Sequence, residues 1–317
     1  MKMIQFTNGD AMPSIGLGTW KAKPGDVYKA VKEAVRIGYR HIDCAPIYGN
    51  EPEIGRALGE VIDDGIVTRE QLWITSKLWN NLHAPGDVEA GLEKTLADLG
   101  IDYLDLFLIH WPIVHKREEI YPKNAAGYLA LEELPIAVTW KEMENLADRG
   151  LCRHIGVSNF STKKLENLAE AARIKPEMNQ VELHPYLQQK PMLDYCHGNG
   201  IHLTAYSPLG SMDRPKALKA ANEPAVLEDD VVKDIADKHS ASPAQVLIGW
   251  AVQRGTAAIP KSAHPKRLRE NLDAAGLVLD SGDMEQLTAL DRKFRYVTGE
   301  FWVTEGGPYT LANIWDE

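Results

Sequence analysis

The stretch Gly38-Tyr-Arg-His-Ile-Asp43-Cys-Ala-Pro-Ile-Tyr48-Gly-Asn50 spans one complete strand-to-helix turn. His41 to Asp43 is a short β-type run, and Pro46 and Gly49-Asn50 break it. Ile54, Ala57, Leu58, Val61 and Ile62 then recur at helical spacing, within a helix expected from Glu51 to Asp64. Such a unit aims Asp43, at the strand end, and Tyr48, just beyond it, at one place. By itself it also admits a plain structural role, with Asp43 capping the next segment and Tyr48 packing with its hydroxyl on a carbonyl.

The same beat recurs on both sides. Upstream, Ile15 to Gly18 precedes a helix over Asp26 to Ile37. Downstream, Leu72 to Lys77 precedes a helix over Asp87 to Leu99, and Leu104 to His110 precedes a long loop and a helix from Ala137 to Arg149. Ile155 to Ser158, Met178 to Leu183, His202 to Tyr206 and Ala257 to Pro260 complete eight strands. Their helices are expected over Lys163 to Ala172, Lys190 to Gly200, Pro243 to Gln253 and Pro265 to Ala274. Eight unbroken units imply an α/β fold, a closed (β/α)8 TIM barrel occupying residues 1–317 as a single domain.

Additions decorate that barrel. Met3 to Phe6 and Met12 to Ile15 flank Asn8-Gly9, the signal of a two-residue hairpin ahead of the first unit. An inserted loop runs from Pro208 to Pro224, and two extra helices are expected near Asp229 to Ser240 and Asp283 to Leu290. The C-terminal tail carries Phe301, Trp302, Tyr309 and Trp315, too aromatic for a solvated terminus, so it and the long loops are expected to pack at the active-site face.

Hydrophobic residues make up 44% of the chain and charged ones 25%, which leaves ample material for a core. A formal charge of -10 excludes general affinity for nucleic acid or anionic membrane, so an anionic ligand must find a local cluster of cations. Cys44, Cys152 and Cys196 suggest neither disulfides nor a metal site, and His110 and His115 share no zinc-ligand spacing, so no metal is expected. With no secretory apolar segment and no run of about 18 apolar residues, the chain reads as cytoplasmic.

Barrels of this kind gather chemistry at the C-terminal strand ends. Strand two ends in Asp43, three in Lys77, four in His110, five in Ser158-Asn159, seven in Tyr206-Ser207 and eight in Pro260-Lys261. Alternation puts Trp73, Thr75 and Lys77 on one face, and Leu104, Leu106, Leu108 and His110 on another, so each polar residue terminates an inward file. A buried lysine needs a partner, and Asp43 is the natural one. To donate a proton near neutrality, a tyrosine of ordinary pKa near 10 must fall by about 2–3 units, roughly 3–4 kcal/mol. A lysine about 4 Å away supplies about 4 kcal/mol at an effective dielectric of 20. Tyr48, Lys77, Asp43 and His110 therefore form a proton-donating set for a carbonyl, with His110 aligning the substrate oxygen and no protein nucleophile.

These residues and their surroundings resemble the aldo-keto reductases, nearest to the branch of aldehyde, aldose and xylose reductases. The matching stretches begin with Gly16-Leu-Gly-Thr-Trp20, Gly38 to Asp43 with Tyr48-Gly-Asn-Glu51, Thr75-Ser-Lys77-Leu-Trp79 and Asp105 to Pro112. They continue with Gly156-Val-Ser-Asn-Phe160, Gln180 to Pro185, Ala205 to Gly210 and Ile259-Pro-Lys-Ser262, covering essentially the whole chain. The resemblance implies Tyr48 as general acid, Lys77 and Asp43 as its tuning pair, His110 as substrate orienter, and NADPH or, less often, NADH as hydride donor.

Charge speaks to the cofactor independently. Gly16-x-Gly18 lacks the third glycine and the surroundings of a dinucleotide fingerprint and simply lets a strand approach its neighbour. Lys261-Ser-Ala-His-Pro-Lys-Arg267-Leu-Arg269-Glu-Asn271 instead places cations at the start of a helix, where they are locally unfavourable unless an anion waits there. By resemblance, Lys261, Ser262 and Arg267 hold the adenosine 2'-phosphate and Glu270 and Asn271 contact adenine, which favours NADPH. His264 departs from the Thr or Asn expected there, and a protonated His264 would strengthen phosphate binding below about pH 6.5. Tyr206 matches the ring that stacks on nicotinamide, with Ser158, Asn159 and Gln180 on its carboxamide. Thr19 and Trp20 also match the cofactor site, and Ser207, Leu209 and Ser211 match the pyrophosphate side.

Trp20, Trp79 and Trp111 follow strand ends and, by resemblance, wall the substrate pocket together with Tyr48 and His110. Tyr121, Tyr128, Phe301 and Trp302 are candidates for selectivity. The expected partner is a small-molecule carbonyl substrate and the expected state a monomer, with a dimer left open. An NAD-linked alcohol or polyol dehydrogenase and a non-catalytic NADPH-binding regulator are the alternatives.

Overall fold

The computed structural model describes residues 2–219 and 222–317; two residues of the inserted loop, 220 and 221, lie outside the described ones. The chain begins with an antiparallel pair, β1 (Met3–Gln5) and β2 (Ala11–Pro13). Their connection runs from Phe6 to Asp10 and is longer than the two-residue turn that Asn8-Gly9 suggests. Asn8 Oδ1 accepts from the Asp10 N–H at 3.0 Å, and the Phe6 N–H reaches Asp10 O at 2.8 Å. That local side-chain bond opens the turn, and Asn8 Nδ2 also donates to Asp10 Oδ2 at 3.0 Å, holding the carboxylate toward its long-range partners.

The repeat follows in order: β3 (Leu17–Gly18), α1 (Asp26–Ile37), β4 (His41–Asp43), α2 (Glu51–Asp63), β5 (Trp73–Leu78), α3 (Asp87–Leu99) and β6 (Leu104–Ile109). A small ribbon of β7 (Val114–His115) and β8 (Tyr128–Leu129) interrupts it before α4 (Ile136–Asp148), β9 (Cys152–Ser158), α5 (Thr162–Ala171), β10 (Met178–Glu182) and α6 (Lys190–Gly198). Then come β11 (His202–Tyr206), the added α7 (Asp230–Lys238), α8 (Pro243–Gln253), β12 (Ala257–Ala258), α9 (Pro265–Asp273), the added α10 (Ser281–Thr288) and α11 (Leu311–Trp315) in the tail. Strands β3, β4, β5, β6, β9, β10, β11 and β12 pair in that order, all parallel. Parallel bridges from Ile15 to Ala258 and from Gly18 to Lys261 join the two edges, giving the (β/α)8 barrel the repeat predicts.

Local chemistry sets these boundaries. Gly38 ends α1 at φ 114°, a left-handed conformation that lets its N–H reach Ala34 O and Val35 O and turns the chain directly into β4. Ser242 and Gln245 form a capping box around Pro243 at the start of α8. The first barrel strand needs glycine on both sides, because a Cβ on Gly18 would stand 2.5 Å from Ile259 O across the closing seam and one on Gly16 would stand 2.6 Å from Nδ1 of His41 on β4. The Gly-x-Gly pair therefore serves close strand approach, as its sequence context suggests.

Two apolar layers result. Ile42, Ile74, Phe107, Ile109, Val157 and Leu203 face the helices. Trp73, Leu106, Leu108, Met178 and Ala257 fill the barrel, closed from below by Ile4, Phe6 and Met12 of the hairpin. Leu104, at the entry of β6, packs with the helix layer, so the inward file of that strand starts at Leu106. Phe6 lies against Trp73 and His154, and His154 bonds Asp10 and Glu177, each at 2.9 Å, which pins the hairpin to the barrel floor. No helix among the described residues is long and apolar enough to cross a membrane.

Candidate active site

At the opposite end, where the strands terminate, lies a cavity of about 1010 Å³. Asp43 closes β4, and Lys77 is the penultimate residue of β5 rather than its last. Each is 1% exposed, so neither charge is hydrated and each must be met by protein. Lys77 Nζ donates to Asp43 Oδ1 at 2.6 Å and Oδ2 at 2.9 Å, to Cys44 O at 2.8 Å and to Tyr48 Oη at 3.3 Å. Gln180 Nε2 donates to Asp43 Oδ2 at 2.8 Å, and Thr19 Oγ1 to Asp43 O at 2.7 Å. Burial opposes the charge on Lys77, but Asp43 outweighs it and holds the ammonium pKa above its usual range.

Tyr48 departs from the sequence expectation of a depressed pKa. Loss of water around the phenol pushes it up, to about 12, and the pull of Lys77 offsets only part of that because Asp43 already neutralises the ammonium. Tyr48 therefore keeps its proton at neutral pH. His110, just past the end of β6, stands with its ring 5.9 Å from that of Tyr48, edge to face. Burial, reinforced by Lys77, holds its pKa well below the ordinary histidine value, so it is a neutral imidazole.

A polar arm leads away from this cluster. Ser158 Oγ donates to Gln180 O at 2.7 Å, Asn159 Nδ2 to His110 O at 2.9 Å, and Tyr206 Oη to Asn159 Oδ1 at 2.7 Å. Asn159 sits at φ 63° to make these contacts. Beyond it, Ser207, Leu209 and Ser211 line the cavity, followed by Lys261, Ser262, His264, Arg267, Glu270 and Asn271 around the start of α9. That helix has no acidic residue in its first turn and no side-chain cap from His264, and Arg267 has no ion pair among the described residues. A cationic, uncapped helix end lining a cavity fits an anionic ligand group.

Two residues of this arm escaped the sequence. Asp213, in the inserted loop, accepts from Lys21 Nζ at 2.5 Å and from Lys261 Nζ at 3.1 Å, which straps the loop across the cavity. Lys21 also reaches Ser211 Oγ at 2.8 Å and lies over the Trp20 ring. Nothing local to Lys21 or Asp213 marks a pairing across 192 positions.

All the cofactor-site and substrate-site candidates line this one cavity: Trp20, Tyr48, Trp79, His110 and Trp111 at the cluster end, and the remainder along the arm. Of the four selectivity candidates, Tyr121 and Phe301 line it, whereas Tyr128 and Trp302 stand behind the wall. They belong to a separate aromatic core with Trp79, Trp111, Tyr309 and Trp315. The tail is bound into place by Asp316, which accepts from Lys164 Nζ at 2.5 Å and from Ser161 Oγ, and by Glu182, which accepts from the N–H groups of Tyr296 and Val297. Among the described residues no His, Cys, Asp and Glu group is arranged to hold a metal.

A closed barrel with its polar cluster at the strand ends defines a class, and the comparisons place the chain within it: residues 14–292 match the model of the aldo/keto reductase family, and the chain belongs to that family of oxidoreductases. An aldo/keto reductase of Synechocystis sp. is 53% identical over 317 residues, covering 100% of this chain and 97% of that one. Aldo-keto reductase family 1 member A1 of Homo sapiens is 48% identical over 296 residues, 93% of this chain and 90% of its own. The solved structure of the aldose reductase from Schistosoma japonicum superposes with a TM-score of 0.87 at 39% identity, over 95% of this chain and 96% of that one.

Proposed function

We propose that this protein is an NADPH-dependent reductase that turns aldehydes and aldoses, and some ketones, into alcohols. The observation that carries the reading is Tyr48, bonded to Lys77, in the same cavity as Arg267, which has no ion pair among the described residues, at the N-terminus of α9.

Bound NADPH supplies the hydride that reduces the carbonyl carbon. The rest is the work of the chain. Tyr48 donates its proton to the carbonyl oxygen, and the phenolate charge that develops forms 3.3 Å from Lys77 Nζ. Asp43 keeps Lys77 charged throughout, and Gln180 and Thr19 hold Asp43 in place. His110, neutral, offers an N–H that orients the same oxygen without competing as an acid. Trp20, Trp79 and Trp111 wall the reacting end against water.

At the other end Lys261, Ser262, Arg267 and His264 receive the 2'-phosphate, and Glu270 and Asn271 the adenine. Ser207, Leu209 and Ser211 face the pyrophosphate, and Tyr206 takes the nicotinamide ring, with Ser158, Asn159 and Gln180 on its carboxamide. The protein acts as a monomer in the cytoplasm. The test is loss of reduced-nicotinamide absorbance with an aromatic aldehyde, a short aliphatic aldehyde, xylose and a ketone, using NADPH and NADH in parallel. Turnover with NADPH supports the reading, and Tyr48→Phe should abolish it while leaving NADPH binding nearly intact. A strong preference for NAD and alcohol oxidation would favour a polyol dehydrogenase, and tight NADPH binding without turnover a regulatory protein.

A further inference from the structure

Glu51, the first residue of α2 and three positions after Tyr48, is 1% exposed and has no cationic partner among the described residues. Its carboxyl instead meets two hydroxyls. Ser76 Oγ, beside Lys77 on β5, donates to Oε1 at 2.6 Å, and Thr95 Oγ1 of α3 donates to Oε2 at 3.2 Å. Both serving residues are themselves fully buried. We infer that Glu51 is a positioning residue for the proposed proton donor: it fastens the downstream end of the Tyr48 turn to the strand that carries Lys77, and so sets the distance between phenol and ammonium.

The turn needs such a tie. From Ala45 to Asn50 it holds itself by only two short-range backbone bonds, Tyr48 N–H to Ala45 O and Gly49 N–H to Pro46 O, both at 3.0 Å. Upstream it is anchored by Cys44, whose N–H reaches Thr75 O at 2.8 Å and whose carbonyl accepts from Lys77. Asn50 is tied sideways, through Nδ2 to Thr19 O at 2.9 Å. Glu51 is the link that returns to β5, so Cys44 and Glu51 grip Thr75 and Ser76 from the two ends of the turn while Lys77, next along, faces Tyr48. Glutamine keeps both contacts with one reversed: its Oε1 accepts from Ser76 Oγ, and its Nε2–H donates to Thr95 Oγ1, a hydroxyl that accepts as well as donates.

The groups facing Glu51 are Ser76 and Lys77 on β5 and Thr95 and Asp98 on α3, with Cys44, after β4, a neutral thiol that Glu51 itself helps to keep protonated. Burial raises its carboxyl pKa to about 7, against the lowering by the Ser76 and Thr95 hydroxyls; Asp98 raises it further and Lys77 lowers it. Below that pH the carboxyl is neutral. Above it, a buried negative charge appears beside Lys77, weakens the pull of the ammonium on the Tyr48 phenolate, and lowers turnover.

This inference rests on the proposed role of Tyr48, so its test includes a readout that does not need turnover. Amide hydrogen exchange at Tyr48 and Gly49 is compared in the wild type, Glu51→Ala and Glu51→Gln, beside kcat and KM for an aromatic aldehyde and the dissociation constant of NADPH. Glu51→Ala should speed exchange at both amides and cut kcat about ten- to a hundredfold, the cost of a misplacement of roughly 1 Å, with KM and NADPH affinity changed by less than about threefold. Glu51→Gln should restore slow exchange and most of kcat, and should remove the wild-type fall in kcat through about pH 7. If Glu51→Ala does not fold, Ser76→Ala, which removes the 2.6 Å bond alone, takes its place with the same expectations. Unchanged exchange in Glu51→Ala, or Gln failing as badly as Ala, overturns the inference. Altered exchange in a protein that reduces no aldehyde would instead overturn the functional reading and leave the tie standing.

Discussion

Replacing Lys77 by methionine removes the ammonium and keeps an unbranched side chain of similar size. At 3.3 Å from Tyr48 Oη, a unit charge is worth about 5 kcal/mol to a full phenolate at an effective dielectric of 20. With roughly half the proton transferred in the transition state, about 2.5 kcal/mol is lost, or about 70-fold in kcat. A second cost falls on stability. Asp43, 1% exposed, loses both Lys77 contacts and keeps only Gln180 on its carboxylate, and an uncompensated buried charge costs about 3–5 kcal/mol. The double variant Lys77→Met with Asp43→Asn removes that stranded charge, so it should recover most of the stability and only the part of the rate that the uncompensated Asp43 charge takes from the Tyr48 phenolate. Steady-state reduction at saturating NADPH, paired with urea unfolding of the three proteins, measures both quantities. A single variant with kcat within about threefold of wild type would refute the electrostatic role of Lys77. A double variant no more stable than the single one would refute the claim that Asp43 and Lys77 are each other's compensation.

Further outcomes are expected away from that cluster. Gly18→Ala places a methyl 2.5 Å from Ile259 O, a backbone atom that cannot swing aside, so the barrel seam should lose about 1–3 kcal/mol in urea unfolding. His154 gives both ring nitrogens to carboxylates and is therefore an imidazolium; burial opposes that charge, but Glu177 and Asp10 raise its pKa. Its stabilisation is thus complete below the ordinary histidine value near 6.5 and fades as pH rises through the raised folded value. His154→Gln should accordingly cost about 1–2 kcal/mol at pH 6 and clearly less at pH 9, by unfolding at the two pH values. Asp213→Asn weakens the strap to Lys21 and Lys261, and stopped-flow fluorescence should show faster NADPH release with the chemical step unchanged.

The barrel was legible because its signal is local and repeated. Strand-turn-helix punctuation, as in His41 to Tyr48 followed by α2, recurs often enough that eight copies leave one topology, and most boundaries fall within a few residues of the pattern. Polar strand ends were legible for the same reason, since alternation alone aims Asp43 and His110 into one cavity and sets Lys77 directly behind Asp43 and Tyr48. Three features were not. The electrostatics of Tyr48 depend on how much water the fold removes and how completely Asp43 cancels Lys77, and neither is written in spacing. Glu51 reads as an ordinary first-turn acid until α3 and β5 are seen closing over it. Asp213 lies in a loop without periodicity, and its partners come from opposite ends of the chain. Trp302 and Tyr128 show the converse error, in which a correct placement near the pocket says nothing about which face of a wall a ring occupies.

The separate aromatic core behind the pocket has a consequence for how such a protein can change over generations. Its members come from the segments after β5 and β6 and from the tail, bridged where Tyr309 takes the Val114 N–H and gives its hydroxyl to Leu129 O, each at 2.8 Å. These rings pack on one another apart from the inner filling of the barrel. Trp79 also meets the His110 ring, at 5.1 Å, and so belongs with the proton-handling residues, whereas substitutions at the rings behind it can be sampled or recombined between relatives one step removed from them. The wall is in effect an exchangeable part, and selection or a combinatorial library confined to Tyr121, Tyr128, Phe301 and Trp302 can search new substrates on an unaltered chemical engine.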